Sequence, residues 1–194
     1  MGAVEILPAH PFTAREARGA GVSEHQLYAL LNDGVLQRIG HGLYQRTDVE
    51  HLVDLDLAPA AKRAPRATLC LTSALAHHGL TDTNPHRIDL ALPRGTRKPR
   101  VENVRWHLFD VDTFDVGRST IPVMGTSFSV GIYSPERTIA DCFRLRDVTG
   151  YEIAIEALRN WLPRRGSNPV ALLNVAQQLP RAQTPVRDAL NYLA

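Results

Sequence analysis

Residues 12–46 read FTAREARGAGVSEHQLYALLNDGVLQRIGHGLYQR, and they decide the fold of the N-terminal part of the chain. Two capping boxes occur in this stretch, in which a Ser or Thr is followed three residues later by Glu or Gln. The first pairs Thr13 with Glu16, and the second pairs Ser23 with Gln26. Since each box satisfies backbone N–H groups of a first helical turn, the stretch predicts two successive short helices.

The second predicted helix follows a tight turn and leads into a hairpin. The sequence GAG at 19–21 forms the turn, and Gly34 ends the second helix. Two strand-like runs at 35–39 and 43–46 then flank a Gly-His-Gly turn. The order helix, turn, helix and hairpin is typical of a winged helix-turn-helix domain.

The second predicted helix has one apolar side and one polar side. At about 100° per residue, Leu27, Leu30 and Leu31 fall on one side and form the buried stripe. The opposite side and the hairpin carry groups that suit base edges or phosphates, although a solvated helix face is the alternative for each single residue. The predicted DNA contacts are Ser23, His25, Gln26, Tyr28 and Asn32 on the helix, and Arg38, His41 and Arg46 on the wing.

Charge is distributed unevenly along the chain. Residues 1–50 hold four basic and six acidic side chains, whereas residues 61–100 hold eight basic and two acidic ones. A polyanion is therefore attracted first to the middle segment. Within it, the proline-bounded loop at 93–100 predicts either a phosphate-contacting finger or a solvated hairpin tip, and its basic residues are Arg94, Arg97, Lys98 and Arg100.

By its length the chain holds one large domain or two small ones, and the change in sequence character near residue 60 favours two. The chain has 194 residues, of which 44% are hydrophobic and 22% charged, so it can bury a core. We predict an α+β protein with a winged helix-turn-helix at 1–58, then a mixed α/β domain ending in a helical region at 59–194. The proline-containing segment 58–66 is the predicted linker. Strands are expected at 67–71, 87–92, 103–109, 118–123 and 127–132, and helices from 134 onwards.

Several classes of function find no support in the sequence. No apolar run approaches the ~20 residues of a membrane span, and two cysteines make neither a disulfide framework nor a four-cysteine zinc site. Phosphate-binding and nucleophile-elbow motifs do not occur. We therefore expect a cytoplasmic protein that is not an enzyme and holds no metal or cofactor. A nuclease centred on Asp89 is the weakest alternative, because no second carboxylate and lysine accompany it.

The residues quoted above resemble the winged-helix N-terminus of the AbiEi family of antitoxins and transcriptional regulators. The similarity continues through LTSALAHHGL at 71–80, IDLALPRG at 88–95 and YSPERTIADCFRLRD at 133–147, and then through the C-terminal helices. Ser134 and Pro135 open a helix there, on which Arg137 and Asp141 are spaced for a structural salt bridge.

That resemblance implies a repressor that binds the operator of its own toxin–antitoxin operon as double-stranded DNA. It also implies that the second domain counters a nucleotidyltransferase-type toxin, without requiring a stable complex. The family's second helix and wing correspond to residues 23–32 and 37–46 of this chain. The alternative is an interaction module that neutralises a partner directly without binding an operator, which the acidic balance of residues 1–50 favours.

Overall fold

The computed structural model describes residues 6–8, 11–40, 42–47, 57–83 and 85–193. The chain divides into two compact units: Met1–Pro65 with Ile121–Val130, and Arg66–Thr120 with Gly131–Ala194. Helices and strands occur in both units, so the predicted α+β class is confirmed. The domain boundary between residues 58 and 59 stays a prediction.

The first unit consists of short helices and a small antiparallel sheet. Its strands have the order β1-β3-β2, so β1, which the sequence did not reveal, extends the hairpin to three strands. The arrangement is compatible with a winged helix. The elements are β1 Phe12–Thr13, α1 Ala14–Gly19, α2 Glu24–Asn32, β2 Leu36–Gly40, β3 Leu43–Arg46 and α3 Leu57–Arg63.

Both predicted capping boxes form. At α1, the Glu16 N–H donates to Thr13 Oγ1 (3.1 Å) and the Thr13 N–H donates to Glu16 Oε2 (2.7 Å). At α2, Ser23 and Gln26 make the equivalent exchange. A capped first turn contributes about 1 kcal/mol to a helix, which matters for elements of six and nine residues.

The predicted linker at 58–66 is wrong over most of its length, because Leu57–Arg63 is the helix α3. Its alanines at 58, 60 and 61 are buried. Pro59 does not disrupt the helix, since it lies in the first turn, where backbone N–H groups have no intrahelical acceptor. The prolines and basic residues suggested an exposed segment, but the small side chains between them allow close packing.

The second unit consists of a mixed sheet with helices. Residues 121–130, which run from the end of one of its strands to the start of the next, are grouped with the first unit. The strand order is β6-β5-β4-β8-β7, with β4 antiparallel to β5 and parallel pairing in β4–β8 and β5–β6. The strands are β4 Thr68–Leu69, β5 Ile88–Pro93, β6 Val104–Phe109, β7 Arg118–Pro122 and β8 Ser129–Tyr133.

The helices of the second unit bury one continuous apolar core. It includes Phe143, Leu158, Trp161 and Leu172, which lie on three different helices. Among the residues described, no helix combines the length and apolar composition needed to cross a membrane. The helices are α4 Leu71–His77, α5 Pro135–Arg144, α6 Arg146–Thr149, α7 Tyr151–Trp161, α8 Pro169–Gln177 and α9 Gln183–Leu193.

A fully buried ion pair lies inside this unit, at the salt bridge that the sequence predicts. Arg137 Nε donates to Asp141 Oδ2 at 2.9 Å, and both side chains are completely inaccessible. Arg137 Nη1 also donates to the carbonyls of Thr113 and Val116, and the guanidinium stacks 4.4 Å from the Tyr133 ring centroid. Each charge is therefore compensated where water cannot reach it.

Asp141→Asn is expected to destabilise the protein by about 3–5 kcal/mol, because it leaves the buried Arg137 charge uncompensated. Urea unfolding monitored by circular dichroism measures the change in the free energy of unfolding. Asp112→Asn makes the same substitution at an exposed position, and it should change that free energy by less than about 0.5 kcal/mol. Equal small effects of the two substitutions would show that the pair does not support the core.

Candidate nucleic-acid interface

Helix α2 turns its leucines inward and its polar side outward. Leu27 is 2% exposed in the core of the first unit, and Leu30 and Leu31 pack against the same core. On the other side, His25 and Asn32 are exposed, as is Tyr28 at 53%. The predicted orientation of the helix therefore holds, and the surface it offers has the polar groups that a nucleic-acid contact needs.

Gln26 is exposed but partly engaged within α2. Its Oε1 accepts the backbone N–H and the hydroxyl of Ser23, both at 2.9 Å, and its own N–H donates to Ser23 Oγ at 3.3 Å. A bidentate contact with adenine requires both the oxygen and the nitrogen of the amide. In this conformation only the NH2 group of Gln26 is open to a base, so the capping role competes with the predicted readout.

The structure describes two of the three predicted contact residues of the wing. Arg38 is exposed, and its Nε donates to the carbonyl of Gly40 at 3.2 Å, next to an irregularity in the β2–β3 register. Arg46 is half-buried at the end of β3. His41 lies outside the described residues. Arg38 thus lies near the end of β2, with its side chain bonded to the backbone of the same strand.

Helix α3 supports the wing from within the first unit. A β-carbon on Gly40 would lie only 3.1 Å from Pro59 Cγ, so the strand passes directly against the helix. Lys62 Nζ donates to the carbonyl of Gly42 at 2.5 Å. Burial lowers the pKa of Lys62, and the nearby Glu16 opposes that shift. Sequence reasoning missed this support because it assigned the segment to a linker.

The basic loop after β5 is not a hairpin tip, which corrects one of its two predicted alternatives. Strands β5 and β6 run parallel, from Ile88 opposite Val104 to Pro93 opposite Phe109. The residues between them must therefore return along the sheet as a crossover. Trp106 Nε1 holds this return segment by donating to the carbonyl of Pro99 at 2.9 Å. The four predicted basic residues of the loop are all exposed: Arg94, Arg97, Lys98 and Arg100.

Asp89, the centre of the nuclease alternative, is buried and already paired. Its side chain is 4% exposed, and its Oδ1 lies 2.8 Å from His107 Nε2 and 3.6 Å from Arg105 Nε. The described residues contain no group of three or more His, Cys, Asp or Glu side chains placed to hold a metal ion. Asp89 is therefore a buried ion-pair partner in this structure, with Oδ1 paired to His107 and Arg105.

Lys62→Met should loosen the wing without unfolding the protein, since it removes the donor to Gly42 and keeps the aliphatic stem. Hydrogen exchange of the backbone amides in β2 and β3 should become faster, while exchange in α7 is unchanged. Arg63→Met removes the same charge at the next residue, which is exposed, and should leave exchange in the wing as it is. Identical exchange in both variants would contradict the supporting role of Lys62.

Comparison with known proteins gives a family-model match for the N-terminal segment and a similar fold for most of the chain. Among solved structures, the chain resembles the RV2827C protein from Mycobacterium tuberculosis, with a TM-score of 0.52 and 15% sequence identity. The similarity covers 94% of this chain and 76% of that one, and at this identity it supports the fold alone.

A search of curated proteins gives no match. Residues 5–47 match the model of a family described as "Transcriptional regulator, AbiEi antitoxin". This segment contains the two capped helices and the wing described above. Over these residues the chain is therefore similar to the AbiEi antitoxin family of transcriptional regulators.

Proposed function

We propose that the protein is a transcriptional repressor that binds double-stranded operator DNA through the exposed side of α2. The observation that carries this proposal is the outward polar face of α2, in a segment that matches AbiEi regulators. The helix follows a short turn after α1 and is followed by a wing, which is how helix-turn-helix proteins present a recognition helix to the major groove.

Different parts of the interface have different tasks. His25, Tyr28 and Asn32 lie on the exposed side of α2 and read base edges or contact phosphates. Ser23 and Gln26 cap the helix and offer polar groups at its N-terminal end, where recognition helices meet bases. The contacts to the sugar-phosphate backbone come from the wing and the crossover: Arg38, His41, Arg46, Arg94, Arg97, Lys98 and Arg100.

The division between the units follows the charge distribution. Residues 1–50 have two more acidic than basic side chains, so α2 and the wing alone attract phosphate weakly. Residues 66–100, which belong to the second unit, hold six basic and two acidic side chains and supply the attraction that does not depend on base sequence. Specificity thus comes from the first unit and general affinity from the second.

The biological role we propose is that of an antitoxin that represses its own operon and acts in the cytoplasm, where its operator lies. Its second unit counters a nucleotidyltransferase-type toxin, and the two proteins need not form a stable complex. A nucleotidyltransferase-like reading frame adjacent to this gene would support the proposal.

A second candidate function is direct neutralisation of a protein partner by the winged module. The acidic balance of residues 1–50 favours it, because a module that only binds DNA gains from a basic surface. Co-purification with the product of a neighbouring gene, together with no shift of upstream promoter DNA, would select this candidate over the repressor.

Asn32→Ala should cost about 1–3 kcal/mol in binding to the specific operator and little on unrelated duplexes, since it removes a base contact. Fluorescence anisotropy with the upstream DNA and a scrambled duplex measures both affinities. Gln177→Ala is the matched control, because Gln177 is likewise an exposed amide at the last residue of a helix. Asn32 is a cleaner test than Gln26, whose loss would also remove a cap.

The double variant Arg97→Glu/Arg100→Glu should weaken binding to all duplexes alike and flatten the dependence of affinity on salt, because it removes phosphate contacts. The slope of log K against log salt, measured on specific and scrambled DNA, is the readout. Arg159→Glu/Arg165→Glu changes the net charge equally at exposed positions of the second unit. The same loss in both double variants would mean that overall charge matters and the crossover does not.

A further inference from the structure

Three arginines line an open cavity that plays no part in the proposed function. The cavity has a volume of about 590 Å³ and lies within the second unit, between the end of α5, helix α6 and the start of α9. Arg144, Arg146 and Arg181 contribute to its wall, together with the carboxylates of Asp147 and Asp188. We propose that this cavity binds a nucleotide, independently of whether the protein binds DNA.

Arg144 is a cation held in place at the cavity wall. Its Nε donates to Asp141 Oδ1 at 2.5 Å, and its guanidinium lies 4.9 Å from the Phe109 ring centroid. The other carboxylate oxygen of Asp141 accepts from the buried Arg137, so both oxygens of the anchoring carboxylate are paired. The Arg144 side chain is 14% exposed. Such a guanidinium loses little conformational entropy when it binds a phosphate.

The opposite wall adds a second set of phosphate-binding features. Arg181 has φ +63° in the turn between α8 and α9, a conformation that costs a non-glycine residue energy and often occurs at functional sites. Helix α9 has eleven residues and begins at Gln183, and its first-turn residues Thr184 and Pro185 line the cavity; of these two, only Thr184 carries a backbone N–H. Backbone N–H groups and arginines together form the usual environment of a bound phosphate.

The remaining wall groups favour a nucleotide over a simple anion. Tyr151 is 47% exposed, with its ring set edge-on to Phe143 at 5.9 Å, and it offers a face for stacking a base. Asp147 and Asp188 would repel a bare phosphate, but carboxylates accept hydrogen bonds from ribose hydroxyls. Asp188 also lies 3.7 Å from Arg187, which moderates its charge. A volume of about 590 Å³ is within the range of small-ligand pockets.

Isothermal titration of the full chain with ATP, tripolyphosphate and adenosine tests the proposal, in buffer without divalent cations. We expect ATP to bind more tightly than either of the other two, because only ATP engages the arginines, the tyrosine and the carboxylates together. Arg181→Ala should weaken ATP binding by roughly tenfold or more, since a charge-assisted hydrogen bond is lost. Arg165→Ala, an exposed arginine that does not line the cavity, should bind ATP as the unmodified chain does.

Three results would overturn the proposal. They are no ATP binding at millimolar concentration, ATP binding no tighter than tripolyphosphate, and equal ATP affinity in the Arg181→Ala and Arg165→Ala variants. Thermal unfolding of each variant shows that the fold is retained, which is expected because both side chains are exposed. Operator binding is measured separately, so a failure of either proposal leaves the other standing on its own result.

Discussion

Burial of Leu27 is the constraint on which the first unit depends. Leu27 packs into a core with Phe12, Leu36 and Tyr44, which come from three different strands. Because a helix is rigid, fixing one side chain in that core fixes the direction of every other side chain on α2. The polar side is therefore presented to solvent by apolar packing at the opposite side. The proposed DNA contacts are a consequence of this small core.

The second unit is organised around a charged group. Asp141 pairs with Arg137 inside the core and with Arg144 at its edge, so one carboxylate links the buried network to the wall of the arginine-lined cavity. Gly117 fits this arrangement, because a β-carbon there would lie 2.8 Å from Arg137 Cβ. The pair costs desolvation energy that a hydrophobic pair would avoid, and in return it fixes the position of an arginine close to the surface.

The features that could be predicted from sequence are local ones. The capping boxes at Thr13 and Ser23, the leucine stripe of α2 and the Ser134 start of α5 all depend on residues within one or two turns of each other. The pairing of Arg137 with Asp141 belongs to the same class, since it follows from helical spacing.

What could not be predicted depends on contacts between distant segments. Strand β1 exists because Phe12 and Thr13 pair with β3, and the parallel direction of β6 is set by its neighbour and not by its own residues. Helix α3 was missed because buried alanines and a first-turn proline look like a linker when their packing partner is unknown. The double role of Gln26 shows the same limit within the site, where a cap and a base contact need the same oxygen.

The central claim is that the outward side of α2 enters a major groove, and a nuclear magnetic resonance titration tests it most directly. The isotope-labelled chain is titrated with DNA from upstream of its own reading frame, and backbone amide shifts are followed. The largest changes are expected in Glu24–Asn32 and in the wing strands, while helix α7 (Tyr151–Trp161) in the second unit is unaffected. Saturable binding with no changes in α2 would contradict it.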